Sequence, residues 1–161
     1  MSAAAYGSGA RIALDWAAIE ELAAALAEQL AERRFDAILA VARGGLVPAS
    51  LVAQRLGVRE MLSAAVASYD GTSRGEQLSF LAFPPDAQLR GRRIAIIDDI
   101  WDSGRTATAV RERVRAAGGD PIVAVLHVKP ARNAQDGERP DLAVATTDAW
   151  IDYPWERFGR G

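Results

Sequence analysis

The stretch Ile94–Val110, IAIIDDIWDSGRTATAV, changes character twice within one short reach of chain. Ile94, Ala95, Ile96 and Ile97 make the brief continuous apolar run expected of a strand buried on both faces. Arg93 to Ile97 is read as that strand. It runs into Asp98 and Asp99, although carboxylates are rarely buried without a partner. The expectation is that the strand delivers both acids to the solvent rim of a sheet, where they can hold a pair of hydroxyls or a hydrated Mg2+. The polar turn Asp102-Ser103-Gly104-Arg105-Thr106 follows and leads into a helix read from Thr106 to Ala117, stopped by Gly118 and Gly119. Gly104 lets the backbone approach a ligand, the amides of the first helical turn face it, and Ser103 and Thr106 add hydroxyl donors. Together these residues make a cup for a phosphate monoester beside diol- or metal-binding acids, the shape of a ribose 5-phosphate site. The alternative is an acidic strand end and an ordinary turn. A Walker B strand would need a partner G-x-x-x-x-G-K-S/T, which occurs nowhere in the chain.

Working outward, the same alternation recurs. Asp15 to Arg34 reads as an amphipathic helix, with Asp15 as N-cap, Glu20 and Glu21 early, Arg33 and Arg34 late, and Ile19, Leu22, Leu26 and Leu30 at helical spacing. FDAILAVA is a buried strand, broken by RGGL. Pro48 to Leu56 is a helix with Pro near its first turn and Gly57 as its stop. EMLSAAVASY is a second strand, the polar segment DGTSRGEQ has no apolar period, and LSFLAF is a return strand closed by Pro84 and Pro85. PIVAVLHV and DLAVATT supply two more strands, and the tail DAWIDYPWERF is aromatic and acidic. Strand, turn and helix in this order argue for an α/β fold with a largely parallel central sheet flanked by helices. Ligands bind beyond the carboxyl ends of such strands. The turns at Arg43–Gly45 and Asp102–Thr106 both follow strands, so they are expected on one sheet edge.

Bulk composition narrows the function classes. A chain of 161 residues, 50% apolar and 25% charged, fits one domain spanning 1–161. Its formal net charge of −2 argues against a nucleic-acid partner. Cysteine is absent, so no disulfide or thiolate metal site is available. The opening MSAAAYGSGARIALDW lacks the basic and apolar regions of a signal peptide, and no apolar run approaches a membrane span. The expectation is a cytoplasmic protein that self-associates as a dimer or tetramer.

The residues above carry a resemblance. IAIIDDIWDSGRTATAV resembles the phosphoribosyl-diphosphate (PRPP) signature of the type I phosphoribosyltransferases. AVARGGLVPASLVAQRLGVR is similar to the pyrophosphate loop of that family, SYDGTSRGEQLSF to its mobile catalytic loop and DAWIDYPWE to its nucleobase-capping segment; the 6-oxopurine (xanthine-guanine) enzymes of bacteria are the nearest type. The resemblance implies the type I fold with a small C-terminal hood, residues 147–158, and Mg2+-dependent transfer of the phosphoribosyl group from PRPP to guanine, xanthine or hypoxanthine. It implies that Asp98 and Asp99 hold the ribose hydroxyls and the Mg2+–pyrophosphate unit, with Asp99 the metal residue. Asp102 is the residue for proton transfer at the purine N7, and Asp102, Ser103, Gly104, Arg105 and Thr106 cradle the 5′-phosphate. Arg43, Gly44 and Gly45 meet the pyrophosphate through a loop that in this family often has a non-proline cis peptide. Arg74, on a loop from Ser68 to Gln77 that closes over the site, contacts phosphate, from a neighbouring subunit in one version. Lys129 reads the purine O6, Trp150 stacks on the base, the Ile151 backbone reads the 2-position, and Glu156 touches metal or pyrophosphate.

Each of these residues also has a plain structural reading. Lys129 before Pro130 suits an exposed strand end, Trp150 and Trp155 suit packing, and ARGG suits a simple strand-to-helix turn. His127 reads as structural, the arginines from Arg105 to Arg115 as a solvated helix face, and Trp101 carries no assigned role. Two other functions compete: a PRPP-binding regulator of the same fold, and a transferase with another base acceptor.

Overall fold

The computed structural model describes residues 10–69, 77–132 and 137–156. In chain order the elements are β1 (Arg11–Ala13), α1 (Trp16–Leu30), β2 (Ala37–Ala42), α2 (Leu46–Leu56), β3 (Met61–Tyr69), β4 (Gln77–Ala82), β5 (Arg93–Trp101), α3 (Arg105–Ala116), β6 (Asp120–Val128), β7 (Leu142–Thr146) and β8 (Trp150–Asp152). Six strands form one sheet in the order β4-β3-β2-β5-β6-β7. Every neighbouring pair is parallel except β3 with β4. This is the largely parallel α/β sheet expected from the sequence.

The central strands explain why the apolar runs are continuous. Alternate side chains of a strand leave opposite faces, and here both faces are covered. Ile38, Ala40, Ala95 and Ile97 pack with Ile19, Leu26, Leu30 and Val52 of α1 and α2. Leu39, Val41, Ile94 and Ile96 pack with Val110 and Val114 of α3 and with Leu89. Asp15 caps α1, its Oδ1 accepting from Ala18 N at 2.8 Å. The helix stops at Leu30 instead of Arg34, because Glu32, Arg33 and Arg34 are exposed and have no core to meet. A turn, Arg33 N to Leu30 O at 2.9 Å, redirects the chain into β2. Helix α2 begins at Leu46, so Pro48 falls in its first turn, where a missing N–H costs no helical bond.

One element lies outside the expectation. β1 pairs in parallel with β8, Arg11 opposite Trp150, Ile12 opposite Ile151 and Ala13 opposite Asp152. Arg11 and Asp152 also form an ion pair across this two-stranded sheet. The pairing anchors the tail as a hood, and Ile151 and Tyr153 of that tail join the core beneath α1 and α2. Among the described residues no helix is long and apolar enough to cross a membrane. Arg74 and most of the segment read as a closing loop lie outside the described residues.

Candidate active site

Two bends meet at the carboxyl edge of the sheet. β2 pairs with β5 as far as Ala40 opposite Ile97, then peels away. The Ala42–Arg43 peptide is cis. Gly44 sits so close to β5 that a Cβ there would collide with the Asp99 carboxylate, and one on Gly45 would collide with the Ile97 and Val41 carbonyls. Only glycine lets the two backbones approach this closely. Gly45 N donates to Val41 O at 2.8 Å and Leu46 N to Arg43 O at 3.2 Å, which starts α2. The Arg43-Gly44-Gly45 bend and the acid pair are therefore in contact, on the one edge that the sequence required.

The acid pair itself corrects an expectation. β5 does not end at Ile97 but continues to Trp101, with Ile100 opposite His127 and Trp101 opposite Val128. Ile100 and Trp101 resume apolar packing after the two aspartates, and Trp101 is fully enclosed. Asp99 is consequently embedded in the edge at 8% exposure and Asp98 is half-buried, so the pair lines a cup instead of standing on an open rim. Asp98 Oδ1 accepts from Asp99 N at 2.9 Å. Burial pushes Asp99 up to about 6. Burial, then the neighbouring Asp99 charge, pushes Asp98 well above the usual carboxylate range. Their desolvation is what a cation or hydroxyl ligand would relieve.

Beyond Trp101 the chain turns through Asp102 and Ser103 into α3. Gly104 precedes the helix with φ 76°, and a Cβ there would strike the Trp101 ring. A cup of about 240 Å³ lies here, bounded by Asp98, Asp99 and the run from Asp102 to Thr106. Trp101, unassigned from sequence, is the floor under this turn. Arg111 lies over its ring at 5.6 Å. Arg111 is also buried, which corrects the solvated-face reading for this one arginine, while Arg105, Arg113 and Arg115 are exposed: Nη1 of Arg111 meets Glu138 at 3.1 Å and Nη2 donates to Arg139 O at 2.8 Å.

The opposite wall comes from β6 and the hood. Lys129 N donates to Trp101 O at 3.0 Å, which carries the β5–β6 pairing one residue past the strand. Its side chain is 11% exposed, with Nζ 3.9 Å from Asp102 Oδ2 and 5.5 Å from the Trp150 ring centroid. The exposed strand-end reading of Lys129 is thereby corrected. A cavity of about 800 Å³ joins Arg43, Gly44, Asp99, Asp102, Lys129, Trp150, Ile151 and Glu156. Trp150 stands exposed at its mouth, while Trp155 stacks on Tyr153 with ring centroids 4.8 Å apart. Tyr153 was not singled out by its sequence context. It is buried, its hydroxyl lies 3.1 Å from Asp99 O and 2.8 Å from His127 Nδ1, and burial pushes its phenol well above the ordinary range. Burial lowers His127 to about 4, which favours the neutral ring.

A parallel sheet whose carboxyl edge holds an acid pair, a glycine-bearing turn into a helix and an arginine-diglycine bend fits a phosphoribosyl-transferring class. The chain belongs to the phosphoribosyl transferase domain family, whose model matches residues 12–156. More particularly, it is 32% identical over 143 residues to the xanthine-guanine phosphoribosyltransferase of Chromohalobacter salexigens, covering 89% of this chain and 82% of that one. Among solved structures it is similar to a purine phosphoribosyltransferase from Pyrococcus horikoshii Ot3, with TM-score 0.80 and 34% identity, covering 90% of this chain and 93% of the other. It is also similar to a Neisseria gonorrhoeae protein with bound ppGpp, with TM-score 0.80, 26% identity and coverage of 94% and 92%.

Proposed function

We propose that this chain is a purine-salvage enzyme that transfers the 5-phosphoribosyl group of PRPP to a 6-oxopurine, guanine, xanthine or hypoxanthine. The bond from C1′ to the pyrophosphate oxygen breaks, a bond from C1′ to a purine nitrogen forms, and the purine gives up a proton. The observation that carries this reading is that one cavity is lined both by Asp102, Lys129 and Trp150, with Lys129 close to each of the other two, and by Arg43, Gly44 and Asp99. The relatives' names and the ppGpp held by the N. gonorrhoeae protein, a guanine nucleotide, support it.

In this reading each residue has a task that follows from its chemistry. Asp102, Ser103, Gly104, Arg105 and Thr106 hold the 5′-phosphate on the amides that open α3. Arg43 pairs with the leaving pyrophosphate, and the main chain at Gly44 and Gly45 lies against it. Asp98 and Asp99 hold the ribose hydroxyls. They also suit Mg2+, which takes one or two carboxylates and completes its shell with phosphate oxygens. The pair therefore fits a cation that shares its shell with the oxygens of PRPP. Mg2+ when bound neutralises charge on the diphosphate. Lys129 donates to the purine O6, Trp150 covers the ring, the Ile151 backbone meets the 2-position, and Asp102 moves the proton at N7. Arg74 is assigned to phosphate on resemblance alone. In this reading the enzyme works in the cytoplasm as a homo-oligomer.

The test is incubation with PRPP, Mg2+ and each base in turn, with nucleotide formation as the readout. Turnover confined to 6-oxopurines is expected. Asp102→Asn is expected to cut that turnover by about 100-fold or more while PRPP stays bound. PRPP binding with no turnover of any base would instead identify a regulator, and turnover of adenine would overturn the base assignment.

A further inference from the structure

We propose that Tyr153, held by His127, is a positioning residue that locks the hood to the acidic strand and fixes the Asp99 main chain. This rests on the reading of Asp99 as part of a Mg2+–diphosphate site. The need for such a lock is visible in the sheet. β2 stops pairing with β5 at Ala40 opposite Ile97, so Asp98 and Asp99 lie beyond the support of that neighbour. There the Asp99 carbonyl accepts the Tyr153 hydroxyl at 3.1 Å.

The direction of each bond follows from the donors available. A carbonyl oxygen only accepts, and a phenol has one hydrogen. The Tyr153 O–H therefore points to Asp99, and His127 Nδ1, 2.8 Å away, must carry hydrogen and donate to the phenol oxygen. Donation to that oxygen strengthens its own O–H bond to Asp99. Tyr153 is 2% and His127 6% exposed, so water cannot stand in for either partner. His127 is anchored on β6 opposite Ile100, the residue after Asp99. The tyrosine directly follows β8, which carries Trp150 and Ile151, and its ring is stacked on Trp155. Main chain at the diphosphate side and hood at the base side are thus joined through one hydroxyl.

The experiment measures PRPP binding by calorimetry across a Mg2+ series, with hydrogen exchange of the Asp99 and Ile100 amides as a second readout. Tyr153→Phe keeps the stacked ring and loses only the hydroxyl. It is expected to raise the Mg2+ midpoint for PRPP binding by about 5- to 10-fold and to speed exchange at both amides. His127→Phe should act in the same direction, the double variant should be no worse than Tyr153→Phe, and His127→Asn, which restores an N–H donor, should return within about two-fold of wild type. A Tyr153→Phe protein with an unchanged midpoint and unchanged exchange overturns the proposal. Additive losses in the double variant overturn the linked role of His127. If the wild-type protein does not bind PRPP at any Mg2+ concentration, the parent reading is what fails, and the amide exchange still judges the Tyr153 contact.

Discussion

Lys129 shows how much a single side chain can decide once its water is removed. Its ammonium is almost enclosed, 3.9 Å from the nearer Asp102 oxygen and over the Trp150 ring at 5.5 Å. That arrangement leaves donor capacity directed at the cavity. In the proposed reading a 6-oxo group satisfies it, whereas the 6-amino group of adenine would put donor against donor. Lys129→Met is therefore expected to raise KM for guanine by about 10- to 100-fold, the worth of one charged hydrogen bond, with PRPP affinity changed far less. Steady-state kinetics with both substrates varied decides it, and equal losses for base and PRPP would remove the base-reading role. The sequence could name this lysine but not its burial. The reason is the extra Lys129 N to Trp101 O bond, which continues the sheet past Val128.

Helix α3 carries the comparable lesson for an element. Ala107, Val110, Arg111 and Val114 are its buried residues, so Arg111 occupies a place on the apolar stripe one turn beyond Ala107. That spacing was readable, and it was the signal against a wholly solvated arginine face. Its partners were not readable, since Glu138 and Asp141 come from a segment remote in sequence, ahead of β7. By holding that segment and lying on Trp101, Arg111 supports the floor of the Asp102–Thr106 turn from behind. Arg111→Met is expected to destabilise the protein by about 2 kcal/mol, because the buried guanidinium gives up its place on Trp101 and its hydrogen bonds to Glu138 and the Arg139 carbonyl. Arg115→Met removes only an exposed pair with Glu112 on the same helix and should cost less than about 0.5 kcal/mol. Urea unfolding of the two variants separates the cases, and equal losses would return Arg111 to the solvated face.

For the whole molecule, the sheet was legible because parallel strands buried on both faces write themselves as local apolar runs. The meeting of the two turns followed from strand direction alone. The β1–β8 pair was not legible: three-residue strands have no period to read, and their partners lie at opposite ends of the chain. The same long-range closure buries His127 and gives the molecule a pH dependence with a definite sign. The folded protein holds His127 at about 4, against about 6.5 for an unperturbed histidine. Between these values the unfolded chain binds more protons, so this residue costs stability as pH falls, by about 2 kcal/mol at pH 5 relative to pH 8. Asp98 and Asp99 act in the opposite sense, since their raised values let the folded state take up protons first. Their contribution is shared by a His127→Asn variant and cancels in the comparison. Unfolding free energies of wild type and His127→Asn at pH 8 and pH 5 should therefore diverge by about 2 kcal/mol in favour of the variant at the acid end. Parallel pH profiles would mean that His127 takes up its proton within the fold, and the neutral Nδ1–H donor to Tyr153 would then be the wrong state of the ring.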